Sequence, residues 1–161
     1  MRQDMQDLSH ALQTRGFGNE DIVALRRHTA AVRKGASTAR ELRDMEHTII
    51  FASVAELYKK HPDKKGAYFQ TEVKTLRDMK LVMRYALYSI ILNDPEYAKQ
   101  KMYWWFRTIL NAFEFGKEFI EDAYRIAQTR TIKHMSKDEG EAVSQMIDEA
   151  ITTFNFEPVA K

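Results

Sequence analysis

Apolar residues recur at intervals of three and four along nearly the whole chain, and only six glycines and three prolines in 161 residues interrupt them. That spacing puts side chains on one face of an α-helix, whereas a half-buried strand alternates at every second residue. So few turn-forming residues leave little from which to build the many turns of a β-fold. The pattern predicts an all-α protein.

The punctuation divides the chain further. Residues 3–14 read as a short amphipathic helix closed by Gly16 and Gly18. Asn19 is expected to cap a helix over 20–33, with Glu20 and Asp21 well placed in its first turn, and Gly35 is expected to break it. From Thr38 to His61 the stripe Leu42, Met45, Ile49, Ala52, Val54, Leu57 predicts a third helix, ended by Pro62 and the following DKKG turn. A long helix over about 69–92 carries Leu76, Met79, Met83, Leu87 and Ile90 on one face. It stops at Asn93-Asp94-Pro95, because proline disfavours helical backbone at the preceding residue. Helices over about 96–113 and 117–133 are separated at Gly116. Ser136 with Glu139 forms a capping-box signature before the last helix, which carries Val143, Met146, Ile147, Ile151 and Phe154. About seven helices in one domain over 1–161 are therefore expected, a helical pair at 1–35 leading a body at 36–161.

Composition removes whole classes of chemistry. With no cysteine there is no disulfide, thiolate metal site, thiol nucleophile or thioether-linked cofactor. The net charge of +2 comes without a basic stripe interleaved with aromatics, so no nucleic-acid partner is expected. The longest nearly apolar run, at 85–92, is far short of the roughly 20 residues that span a bilayer. No apolar core of signal-peptide length opens the chain, so a soluble, cytoplasmic protein without membrane insertion is the expectation. The five histidines do not converge; His47, on an apolar-rich helix, is nearest in character to a haem ligand, although a satisfied or exposed histidine is the commoner case. Glu118, Glu121 and Asp122 read as a solvated face paired with Arg125. No spacing supports a Ser-His-Asp arrangement, a glycine-rich phosphate loop or HExxH, so nothing asks for an enzyme.

Two stretches carry more information. YWWF at 103–106 places four consecutive large rings about 100° apart on a helix, so they cannot all face one core. Tyr103 and Trp104 are candidates for an exposed anchor on a partner protein, since such residues lead interface hot spots.

The other stretch is TLRDMKLVMRYALYSIILND at 75–94. Its letters Thr75-Leu76-Arg77-Asp78, then Arg84-Tyr85-x-x-Tyr88, then Asn93-Asp94 resemble a motif of the phycobiliprotein family, the light-harvesting subunits of cyanobacterial and red-algal antennae. The resemblance extends to TIIFASVAELYKKHPD at 48–63 and to SKDEGEAVSQMIDEAITTF at 136–154. It implies a globin-like, all-α fold whose first two helices dimerise. It also implies that Thr75 stands where family members carry the cysteine that forms a thioether to an open-chain tetrapyrrole. A threonine hydroxyl cannot make that bond, so no covalent bilin is expected. Arg77 and Asp78 stand where the family grips a bilin propionate and the pyrrole nitrogens, and Lys74 is a candidate for the second propionate. Trp105 falls on the pigment-facing helix, where it would fill the vacated volume or stack on a ligand. Leu110 aligns with an aromatic that usually closes the pocket. Two readings follow from the resemblance. One is a non-pigmented interaction protein, an accessory or assembly factor whose partner is a phycobiliprotein subunit, a photosystem, an assembly factor or a second copy in a homodimer. It would use Tyr103, Trp104, Arg84 and Asp94, and its place would be the cytoplasm or the cytoplasmic side of thylakoids. The other is a carrier or sensor holding a bilin, haem or chlorophyll-type tetrapyrrole non-covalently.

Overall fold

The computed structural model describes residues 2–14 and 18–156, and every regular element among them is helical. The helices are α1 (Arg2–Thr14), α2 (Asn19–Lys60), α3 (Thr71–Ile91), α4 (Glu96–Ala98), α5 (Trp104–Ala112), α6 (Lys117–Ile132) and α7 (Lys137–Phe154). Gly16, expected to help close the first helix, lies outside the described residues.

Helix α2 corrects two expectations. Its cap is Gly18 rather than Asn19: the Gly18 N–H donates to the Asp21 carboxylate at 2.8 Å, and Asn19 is already helical. The helix also continues through Gly35 for 42 residues. The flanking AVRK and ASTAREL are rich in helix formers, and one glycine costs a helix only about 1 kcal/mol. Gly35 is buried where α2 crosses the last turn of α3; a Cβ there would lie 2.8 Å from the Ile90 carbonyl oxygen and 2.9 Å from the Ile91 Cα. The glycine therefore serves close backbone approach and does not end the helix. On the N-terminal side of Gly35, Asp21 is the one buried residue of α2, and Ile22, Val23 and Leu25 stand exposed.

Beyond Gly35, the core forms from the inward stripes of four helices. Leu42, Ile49, Ile50, Val54 and Leu57 of α2 meet Met79, Val82 and Met83 of α3, Phe119, Ala123 and Ala127 of α6, and Val143, Ile147, Ile151 and Phe154 of α7. Helix α2 packs on α3 and α6, and α7 closes against α3 and α6. The Glu139 carboxylate accepts from the Ser136 N–H at 3.2 Å and from the Thr38 hydroxyl at 2.6 Å, which ties the start of α7 to α2.

Between α4 and α5 the backbone opens into one wide π-turn, Lys99–Tyr103, in which the Trp104 N–H reaches back to the Lys99 carbonyl. An i to i+5 turn inserts an extra residue and re-phases the helix. Ala98, Met102, Tyr103 and Phe106 then share the buried face, while Trp104 and Trp105 turn outward. No helix among the described residues is long and apolar enough to cross a membrane.

Candidate functional site

Thr75 opens the second turn of α3, half-buried, and faces α2. Its hydroxyl hydrogen-bonds the Tyr58 hydroxyl at 2.7 Å. Tyr58 is buried in the inward stripe of α2, and its ring packs on Phe119 of α6 at 5.9 Å. Burial raises the Tyr58 pKa, so the phenol stays protonated and available for that bond.

From Phe119 a run of aromatic rings extends to the loop before α3. Phe119 stacks on Phe115 at 5.0 Å and 17°. Phe115 and Phe113 each present themselves edge-on to Tyr68, at 5.8 and 5.2 Å. The Tyr68 hydroxyl donates to the Phe113 carbonyl at 2.7 Å and pins the loop before α3 to the turn after α5. Glu114, with φ of 53°, supplies the left-handed residue that lets Phe113 and Phe115 both turn toward Tyr68. The loop is fixed at its other end as well: the Tyr68 N–H donates to the Thr71 hydroxyl at 2.8 Å, at the first residue of α3.

The charged pair after Thr75 is turned on itself. Arg77 is exposed and its guanidinium holds the Asp78 carboxylate at 2.7 Å. Burial pushes the Asp78 pKa up, and Arg77 and Lys74 offset it only in part. Lys74 leans over the exposed Phe69 ring at 6.0 Å. Asp122, on the opposite side of the aromatic run, departs from the expected pairing. It bonds Lys60 at 2.7 Å and His61 at 2.6 Å, while Arg125 reaches Glu121 and Asp148 instead. The His61 ring also sits edge-on to Phe119 at 5.4 Å.

Other expected site residues disperse. Trp105 is 58% exposed, so it does not fill the volume beside Thr75. Leu110 packs against the core. Tyr103 is 1% exposed, with its hydroxyl directed to the Met146 carbonyl, and burial drives its pKa well above the ordinary phenol value; it offers no surface to a partner. Trp104 does reach the surface, where Arg107 lies 4.8 Å over its ring and Phe156 meets its edge at 6.0 Å. Arg84 grips Glu46 with two bonds of 2.7 Å, and Asp94 accepts from the Glu96 N–H at 3.2 Å as a turn cap. His47 is exposed, beside Lys80 at 3.1 Å, and no cluster of metal-ligating side chains occurs among the described residues.

The attachment chemistry of a thioether-linked pigment does not fit this site, because the group presented is a secondary hydroxyl already paired with Tyr58. The arrangement offers packing, two hydroxyls bonded to each other and one self-paired ion pair. A comparison with protein-family models matches residues 9–154 to the model described as phycobilisome protein. A comparison with curated proteins returns no match.

Proposed function

The chain belongs to the phycobilisome protein family, and from that premise we propose that it is a pigment-free member that acts by binding another protein, as an accessory or assembly factor of the antenna or of a photosystem. The observation that carries this reading is the Thr75–Tyr58 hydrogen bond, with the Tyr58 ring packed at the end of the run Phe119, Phe115, Tyr68 and Phe113. The hydroxyl at the attachment position bonds within the protein, and the rings nearby pack on one another. Surface suited to a protein partner lies elsewhere, at Ile22, Val23 and Leu25 and at Trp104 and Trp105. Large exposed apolar residues in groups are the usual mark of association. Asp78 favours a second reading, a non-covalent tetrapyrrole site, since a half-buried carboxyl with a raised pKa is commonly retained for binding.

One preparation separates the two. The protein is purified from cells that also make phycocyanobilin and haem, and its absorption is recorded before and after acid–urea denaturation. The proposed function expects a colourless protein that forms a complex in size-exclusion chromatography with light scattering, weakened by Ile22→Asp with Leu25→Asp. Colour that survives desalting and is released on denaturation would overturn it in favour of the carrier.

A further inference from the structure

A cleft of about 480 Å³ opens between α2 and α3, walled by Phe51, Val54, Ala55, Tyr58, Val73 and Leu76. It shares the Tyr58 wall with the aromatic run, whose rings Tyr68, Phe113, Phe115 and Phe119 do not line it. Leu76 and Asp78 are two positions apart on α3, about 200° around its axis, so the cleft lies on the opposite side of the helix from Asp78. Two of its walls are large apolar side chains left open to solvent, Phe51 at 60% and Val73 at 63%. Its size and lining are those of small-ligand sites, which are largely apolar with a few polar groups at fixed places.

The polar groups define what would fit. The one hydroxyl on the wall, that of Tyr58, is taken by Thr75. A ligand body carrying hydrogen-bonding groups would leave them unpaired against Phe51, Val54, Ala55, Val73 and Leu76, at a cost that excludes it. The body is therefore hydrocarbon. At the rim stand Lys59 and Lys65, neither of which pairs with an acid among the described residues, and Glu72. Two ammonium groups and one carboxylate leave a surplus of one positive charge, which one anionic head balances and two would not. Lysine also leaves its ammonium in water while its stem lies along apolar surface, which suits a head group at the mouth.

We propose that this cleft binds an amphipathic monocarboxylate of the fatty-acid class, its tail along Phe51, Val54, Ala55 and Leu76 and its head between Lys59 and Lys65. The test is isothermal titration of the full chain with hexadecanoate below its critical micelle concentration. Hexadecanol serves as the uncharged comparison, and co-sedimentation with phosphatidylcholine vesicles as the membrane comparison. The expected result is saturable one-to-one binding of hexadecanoate. Hexadecanol should bind roughly tenfold more weakly, the order of one charge-assisted contact. Ala55→Trp, which fills the cleft from an exposed position of α2, should abolish binding. Lys59→Glu with Lys65→Glu should remove the preference for the acid over the alcohol while the far-ultraviolet circular dichroism stays unchanged. Absence of saturable hexadecanoate binding, binding undiminished by Ala55→Trp, or vesicle association without monomer binding would each overturn the proposal. The last would assign the face to a lipid surface.

Discussion

Gly35 and Gly140 both sit inside helices, and replacing either by alanine removes a glycine that costs its helix about 1 kcal/mol. Their surroundings make the outcomes opposite. At Gly140 an added Cβ meets the Ile132 Cβ at 3.6 Å and Cγ2 at 3.7 Å, ordinary van der Waals contact. Gly140→Ala should therefore keep most of the propensity gain, about 0.5–1 kcal/mol. At Gly35 the nearest atoms are the Ile90 oxygen at 2.8 Å, the Ile91 Cα at 2.9 Å and the Ile90 carbonyl carbon at 3.1 Å, all backbone. None can swing aside as a side chain would, so the crossing must spread at the end of α3. Overpacking of that kind costs typically 1–3 kcal/mol, and backbone against backbone belongs at the upper end. Subtracting the propensity gain leaves Gly35→Ala destabilised by about 1–2 kcal/mol. For a chain of this length that lowers Tm by roughly 2–8 °C. Urea denaturation followed by circular dichroism measures both variants at one pH. A Gly35→Ala protein as stable as Gly140→Ala would refute the close crossing of α2 and α3 and with it the reason given for the glycine.

Three further outcomes are expected. Thr75→Cys, made with phycocyanobilin and a bilin lyase, should stay colourless under denaturing electrophoresis because residue 75 is half-buried and faces the Tyr58 hydroxyl of α2; a stoichiometric covalent adduct would show that the position is open to a pigment. Burial opposes the Asp122 anion, but Lys60 and His61 outweigh it and hold the pKa below its ordinary value, while the Ser136 and Thr38 hydroxyls do the same for Glu139. Lowered folded values give stability that is complete above the unfolded carboxyl pKa of about 4 and is lost as pH falls through the folded one. Asp122→Asn should therefore flatten part of the acid loss of stability, and an unchanged pH dependence of the urea midpoint would show that Asp122 supplies none of it. Glu114→Gly should raise stability by about 0.5–1 kcal/mol, since glycine takes a φ of 53° without the left-handed penalty; a lower Tm would mean the Glu114 side chain holds the turn by contacts of its own.

The all-α fold was legible because helical spacing is a local property, and so were the stops at Pro95 and Gly116 and the start at Ser136. The course of α2 was not. Whether Gly35 ends a helix depends on what packs against it, here the backbone of α3 some 55 residues further along the chain. The wide turn at 99–103 was hidden for a similar reason: one extra residue per turn changes which rings face inward, and no letter of YWWF announces it. At the site, Thr75, Arg77 and Asp78 could be read from the motif, since they are adjacent in sequence. The rings of Tyr58, Tyr68, Phe113, Phe115 and Phe119 come together from two helices, the loop before α3 and the turn after α5, and the Phe113-x-Phe115-x-x-x-Phe119 spacing was the one available signal.

Because α2 runs unbroken through Gly35, its exposed first half is a rigid lever. Leu25 and Ile49 are 24 positions apart on one helix, about 36 Å along its axis. A partner seated on Ile22, Val23 and Leu25 is thus held at a set reach and angle from the core, without a flexible tether whose slack must be frozen out. Tilting that lever would prise Gly35 from the end of α3, so a load applied at the tip is felt at the base. The geometry of any assembly built on this chain is set at the crossing of two helices, before a partner arrives.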